Sequence, residues 1–385
     1  MTASATRTAD ALRAREMRWL VGAARRFVGI GDADDRAGLL ETPPGWDSLL
    51  ARAEREGMTG LVGAALEGLA RAGAPGLPLE RWRAATRAVA ASNLSALGEL
   101  AALRAALRQE RRQVVLLKGA ALLREHYRGD VGLRPLGDID LLVRPSDMPA
   151  LTGWLRGRGY EPFAPSSGYF SRGVVAFDLH LDVVGGERVG RKARVFRLDP
   201  EALWREAAPL EVDDPTALVL APVHQGLHLA VHALKHSYSR LIWLVDLALV
   251  LRDAPWGPLL EEARACGVLR PLGYALALLD ALLGIALPSG VRGAPPALNA
   301  LERSFVRLVA QRRGVETPGD LMVALSIPGV IGKTAYLAEL VVPARQVLIR
   351  HYPRTPRWLL YPRRAVRLLS LGVREGSKLV RRALP

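Results

Sequence analysis

The chain has 385 residues, half of them hydrophobic and about a quarter charged, which is the balance of a folded globular protein. This length predicts two or three domains and excludes a peptide or a disordered tail. Lys and Arg outnumber Asp and Glu by 53 to 38, for a formal charge of +15. The excess favours anionic partners such as nucleotides, nucleic acid or an anionic membrane surface, although genomic base composition is an alternative explanation.

The cysteine content and the apolar segments bear on the compartment. A single cysteine, Cys266, excludes an internal disulfide and a cysteine-cluster metal site, and it predicts a reducing, cytoplasmic environment. Residues 1–16 contain no apolar block that would direct export. The most apolar stretch, residues 271–288, contains Asp280, so a buried helix is a better interpretation than a transmembrane segment.

The predicted elements change in type along the chain. Apolar positions recur at helical spacing in residues 12–27, 46–70 and 82–107, between clusters of Gly and Pro. Residues 113–184 then read as strand, helix, strand, helix and strand. From about Pro215 the pattern is helical again, with predicted helices at 218–235, 241–252, 259–265 and 272–285, and the last 80 residues are mostly helical and increasingly basic. We therefore divide the chain into four parts: 1–108, 109–212, 213–300 and 301–385.

Two aspartates at the start of a predicted strand are the first candidates for chemistry. Asp138 and Asp140 leave the same face of the strand because successive side chains alternate. Two carboxylates on one face can share a hard cation such as Mg²⁺. Asp178 lies on the polar face of a later strand and is a third candidate. The alternative is that these charges only mark a strand's start, and the same spacing in Asp32-Ala33-Asp34 shows how little the pattern proves alone.

Several segments, in order, resemble a known family. Leu117-Lys118-Gly119-Ala120, then Arg134-Pro135-Leu136-Gly137-Asp138-Ile139-Asp140-Leu141-Leu142-Val143, then Phe177-Asp178-Leu179-His180 are similar to the uncharacterised nucleotidyltransferase family of the DNA polymerase β-like superfamily. Residues 227–232 and 241–246 resemble the helical segment of that family. The resemblance covers about residues 95–290.

The resemblance implies an α+β fold, with a small mixed-sheet nucleotidyltransferase core flanked by N- and C-terminal α-helical regions. It assigns metal binding and catalysis to Asp138, Asp140 and Asp178, with Mg²⁺ as the cofactor and Mn²⁺ as an alternative. Gly119 matches the glycine of the turn that approaches the phosphates. That turn is usually Gly-Ser or Gly-Gly in the superfamily, so Gly119-Ala120 lacks a hydroxyl that would hold a phosphate.

Basic residues and histidines supply further candidate contacts to the nucleotide. Lys118 and Arg134 flank the candidate carboxylates and are interpreted as phosphate contacts or, equally, as surface charges. His180 follows Asp178 on the same strand face, where it would orient Asp178, touch the substrate or simply be a solvated polar residue.

A run of histidines occupies one predicted helix. His224, His228, His232 and His236 recur every four residues, which places them on one stripe. The resemblance puts such histidines beside the nucleotide pocket, and a zinc site or ordinary packing are the alternatives. We assign His228, His232 and Asp246 to the nucleotide pocket. If one helix continued unbroken to residue 246, Asp246 would lie on the same face of it as His228.

These patterns predict a metal-dependent enzyme that transfers NMP from an NTP and releases pyrophosphate. The acceptor is left open between a small molecule, a peptide or protein, and a tRNA. A binding module without catalysis and a γ-phosphotransferase are the alternatives. The basic, aromatic tail from Arg345 to Pro385 suits RNA, an anionic membrane surface or a solvated helix, and we expect no transmembrane segment.

Overall fold

The computed structural model describes residues 3–31, 45–163, 168–184, 195–311, 319–352 and 354–370. The Asp32-Ala33-Asp34 motif and the last fifteen residues of the basic tail lie outside these ranges. The architecture is the predicted α+β fold, in which helices precede and follow a mixed sheet in the sequence. The four-part division of the chain stays a prediction.

In residues 3–31 and 45–109, four helices precede the sheet: α1 (Ala3–Phe27), α2 (Trp46–Glu56), α3 (Thr59–Arg71) and α4 (Leu79–Gln109). The single helix predicted over residues 46–70 is wrong, because the chain turns at Gly57 between α2 and α3. Gly57 has φ +72°, a left-handed conformation that ends helices and that glycine adopts without steric cost. Backbone N–H donation at the Gly57 cap to carbonyl groups of α2 closes the turn.

Within the described ranges, seven strands form one sheet in the order β3-β4-β5-β2-β1-β7-β6. The central strands β1 and β2 are antiparallel, whereas β1 pairs with β7 and β2 with β5 in parallel. Two helices are inserted between strands, and a third precedes β6. The bounds are β1 (Val114–Leu116), α5 (Lys118–Glu125), β2 (Ile139–Leu142), α6 (Met148–Gly157), β3 (Glu161–Pro162), β4 (Tyr169–Arg172), β5 (Val175–His180), α7 (Pro200–Glu206), β6 (Ala208–Glu211) and β7 (Asp214–Val219).

The two faces of the sheet have different partners. Ile139, Leu141 and Phe177 point to one face and pack with α4 and α6 in a compact apolar cluster. Leu142 and Val115 point to the other face, where they join the large core made by the helical regions. The predicted alternation along β2 and β5 is therefore confirmed, and Asp140, which alternates with Ile139 and Leu141, faces the large helical core.

The strand β7 shows that the predicted start of the helix over residues 218–235 is wrong. Residues 218 and 219 were expected to begin a long helix, but they end a buried strand that pairs with β1, and the helix α8 (Pro222–Lys235) starts only at Pro222. Proline is favoured in the first turn of a helix, where its missing N–H leaves no hydrogen bond unmade. The chain therefore adds a β6–β7 hairpin to the sheet before it becomes helical.

The remaining helices follow from residue 242 onward, and a π-helical turn, Leu279–Leu283, extends α11. Residues 360–370 are also helical. In the part of the chain that the structure describes, no helix is both long and apolar enough to cross a membrane. The bounds are α9 (Ile242–Arg252), α10 (Trp256–Ala265), α11 (Leu269–Leu278), α12 (Ser289–Arg292), α13 (Ala300–Ala310), α14 (Gly319–Ser326), α15 (Val330–Val341) and α16 (Arg345–His351).

Candidate active site

The site is built on the parallel pair β2 and β5. Asp140 lies directly opposite Asp178 in the register of these strands, so two carboxylates separated by 38 positions in sequence become neighbours. Asp138 precedes β2 by one residue and is partly buried. The alternation of the strands turns all of these side chains to the face that the helical region covers.

Two basic side chains contact Asp140, which is buried. Asp140 is 3% exposed, and Lys118 donates a hydrogen bond to its Oδ1. His180 Nε2 lies 2.8 Å from the same oxygen and 3.2 Å from Asp178 Oδ2. A buried carboxylate requires such partners, because an isolated buried charge is unfavourable.

These contacts give the titratable side chains of the site different pKa values. Burial raises the pKa of Asp138 to about 6, and repulsion from Asp140 adds to this effect. Burial also acts to raise the pKa of Asp140, but Lys118 and His180 hold it well below its usual range. Burial disfavours a charged His180, yet its hydrogen bonds to Asp140 and Asp178 raise its pKa to about 9. In the free protein His180 is therefore a cation at neutral pH.

Asp140, Asp178 and His180 form a group that fits a divalent cation. One ligand atom from each residue lies within 4.8 Å of the others. Carboxylate oxygens suit Mg²⁺ and Mn²⁺, and imidazole is a ligand for Mn²⁺ and heavier ions. Asp138, which the sequence placed in the metal site, stands beside this group, close enough for Asp140 and Asp178 to raise its pKa.

The turn after β1 brings Lys118 and Gly119 to the site. Lys118 has φ +48°, a left-handed conformation that is uncommon for a residue with a side chain. A Cβ atom added to Gly119 would lie 2.1 Å from Arg134 Nη1 and 2.5 Å from Leu136 Cδ2. The guanidinium of Arg134 therefore occupies the space above Gly119, so the packing by itself requires glycine here.

Arg134 is held by an acidic partner from a distant helix. Its Nε donates to Asp246 Oδ1 at 2.9 Å and its Nη2 to Asp246 Oδ2 at 2.8 Å, in a buried bidentate pair. The hydroxyl group of Tyr127 donates to Asp246 Oδ1 at 2.8 Å. The structure thus brings Arg134 and Asp246 together next to Gly119, and their assignment to nucleotide binding stays a prediction.

Two histidines of α8, His228 and His232, are neutral. His228 Nδ1 lies 2.8 Å from the carbonyl oxygen of Val183, which can only accept, so Nδ1 carries the proton. Burial and then the Lys118 charge lower the pKa of His228 to about 3. The same two causes, in that order, lower the pKa of His232 well below its ordinary value. Both rings are therefore close enough to Lys118 to respond to its charge.

The helix that holds these histidines ends before Asp246. Ser237 and Tyr238 have φ values of +54° and +50°, which break the helix between α8 and α9. Asp246 reaches the site from α9 instead of from a continuous helix. His224 has a different environment, with Nδ1 3.7 Å from Glu206 and Nε2 4.0 Å from Glu262. Among the described residues, the four histidines do not meet as one metal site.

The structure adds residues that the sequence did not single out. Tyr169 lies opposite Asp178 in the β4–β5 pair, and burial followed by the charges of Asp138 and Asp178 raises its pKa. Tyr127 supports Asp246 from α5's C-terminal side. The strand β4 was not predicted, so no sequence signal placed Tyr169 near the carboxylates.

A mixed sheet with carboxylates on paired strands and a glycine turn beside them fits the predicted nucleotidyltransferase core. The chain belongs to the uncharacterised nucleotidyltransferase family, whose sequence profile matches residues 42–284. The match begins earlier than the resemblance noted in the sequence, so it includes α2, α3 and all of α4. No curated protein and no solved structure matches the chain. Membership of this family supports nucleotidyl transfer in general and an NTP as substrate.

Proposed function

We propose that the protein transfers NMP from an NTP to an acceptor hydroxyl or phosphate, in a reaction that depends on Mg²⁺ or Mn²⁺. The observation that carries the proposal is the register of β2 and β5, which sets Asp140 opposite Asp178 beside the Lys118-Gly119 turn. An isolated acidic pair on a surface would not have a lysine from another segment and a histidine from the strand of Asp178 both directed at Asp140.

The reaction follows from the chemistry of the groups present. An acceptor oxygen bonds to the α-phosphorus, the bond from that phosphorus to the bridging oxygen breaks, and pyrophosphate leaves. Asp178 would orient the acceptor hydroxyl and take its proton. A divalent cation held by Asp138, Asp140 and Asp178 would neutralise the charge of the triphosphate and of the leaving pyrophosphate.

Lys118 would change partners when the nucleotide binds. In the free protein its ammonium group neutralises Asp140, and a cation at the carboxylates would replace that charge. The ammonium group would then be available for a phosphate oxygen, which is a strong charge-assisted contact. His228 and His232 would line the pocket as neutral rings. The cytoplasmic location expected from the single cysteine stays a prediction.

The test is the transfer of label from α-labelled NTPs into the RNA, protein and small-molecule fractions of an extract. We expect label to enter one fraction with the intact protein and Mg²⁺ or Mn²⁺, and to fall to the blank with Asp140→Asn. Asp182→Asn is the matched control, because Asp182 follows β5 and caps the N–H of Val184, a contact that an amide oxygen can keep.

Other outcomes would contradict the proposal. Full transfer by Asp140→Asn would exclude the carboxylate site, provided that the variant keeps the circular dichroism spectrum of the parent. Label from the γ-position entering a product, with none from the α-position, would indicate a γ-phosphotransferase. Nucleotide binding without transfer of either label would indicate a binding module.

A further inference from the structure

The C-terminal helices expose an unusual concentration of large apolar side chains. Within the described ranges, Trp358 is 76% exposed, Val366 67% and Leu369 69%. Positions 362, 366 and 369 are spaced by four and three residues, so they lie on one side of the helix formed by residues 360–370, and Trp358 lies in the turn just before this helix. Soluble proteins seldom leave such residues together in water unless the surface binds something.

Arginines border this apolar stripe. Arg357 and Arg367 are exposed, as is Arg363, which lies over the ring of Tyr352. The sequence contains no Asp or Glu between Glu339 and Glu375. We name the surface formed by Trp358, Val366, Leu369, Arg357 and Arg367 the basic apolar face. Its charge is of one sign, so it complements an anionic partner.

The face is held in place on the protein. Tyr361 donates a hydrogen bond to the carbonyl of Pro343 at 3.2 Å, and Arg364 donates one to the carbonyl of Leu340 at 3.0 Å. These bonds fix the helix of residues 360–370 against the end of α15, where Val341 and Val342 are also exposed. The apolar region therefore continues from one helix to the next.

We propose that the basic apolar face binds the surface of an anionic lipid membrane, with the protein attached peripherally. An amphipathic helix of this kind inserts its apolar side chains at the level of the headgroups while arginines contact the lipid phosphates. Tryptophan is enriched at that level because its ring is apolar and its N–H is polar. The proposal is independent of the transferase reaction.

The experiment is co-sedimentation of the full chain with vesicles. Vesicles of phosphatidylcholine with about one third phosphatidylglycerol are compared with phosphatidylcholine alone, at low and high salt. We expect binding to the anionic vesicles only, weakened by salt because exposed charges are screened. Arg357→Gln/Arg367→Gln should reduce binding by about fivefold for each arginine removed, and Trp358→Ser/Leu369→Ser should reduce it at low and high salt alike.

Matched controls distinguish binding through this face from binding caused by the net positive charge of the whole protein. Val212 is 96% exposed in the β6–β7 turn, and Arg156 and Arg307 are exposed on other helices. Val212→Ser and Arg156→Gln/Arg307→Gln should bind like the parent. Equal loss in these controls, no sedimentation of the parent, or equal binding to neutral vesicles would overturn the proposal. Tighter binding to a single-stranded RNA that releases the protein from vesicles would overturn it in favour of RNA.

Discussion

The ionised form of Asp138 is unfavourable in the folded protein. Its pKa is raised from 3.8 to about 6 by burial and by Asp140. A carboxyl group with a raised pKa in the folded state destabilises the fold once it is ionised, so the penalty develops as the pH rises from about 4 to about 6 and is complete above that range. Groups that bind cations or substrates often show this behaviour in the free protein.

Replacement of Asp138 by Asn should therefore stabilise the free protein while it removes transfer activity. We expect a gain of about 1 kcal/mol in the free energy of unfolding at pH 8, after allowance for the partial exposure of Asp138, and no gain near pH 4. Urea unfolding in the presence of a chelator, at both pH values, measures it. A loss of stability at pH 8, or an equal gain at both pH values, would contradict this account of the carboxylates.

Some residues of the site could be predicted from the sequence, and others could not. Asp138, Asp140, Asp178 and His180 were singled out because alternation along a strand fixes the face of each side chain. The pairing of Lys118 with Asp140 gave no such signal, because it depends on where the end of β1 meets β2. The bond from Arg134 to Asp246 joins positions 112 apart and could be found only in three dimensions.

At the scale of the element, the turn between β1 and α5 makes a specific prediction. Gly119→Ala should lower the free energy of unfolding by about 2 kcal/mol, because the new methyl group would displace the Arg134 guanidinium from its buried bond to Asp246. Gly137→Ala is the matched control, since no atom lies within 4 Å of the added Cβ. Thermal unfolding measures both, and equal effects would show that packing does not explain the glycine at 119.

The elements that the sequence missed share a physical cause. The strands β1, β2 and β5 were predicted because they are short apolar or alternating runs between turn residues. The strand β7 was missed because its apolar residues 217–219 run almost directly into the helix after Pro222, and a strand buried on both faces lacks alternation. The edge strand β3 has only two residues, which are too few to show a period, and its neighbour β4 was also missed.

At the scale of the molecule, the apolar residues of the C-terminal region pack outside the two large cores. Leu348, Tyr352 and Leu360 form a small apolar cluster of their own, separate from both large cores. A chain that ends after Pro343 should therefore keep a Tm within about 3 °C of the parent and lose its binding to anionic vesicles. Calorimetry and co-sedimentation of the same sample check this. A large drop in Tm would mean that this region supports the main fold.

The central position of β1 bears on the order of events during synthesis. Val114 pairs with Ala217, which leaves the ribosome long after β1 and β2 have done so. Until that segment emerges, one edge of β1 has no partner, and an unpaired edge readily joins a strand of another chain. Translation that stalls between β5 and β7 would consequently yield nascent chains prone to aggregate, whereas a stall after residue 219 has left the ribosome would allow β1 to pair on both sides.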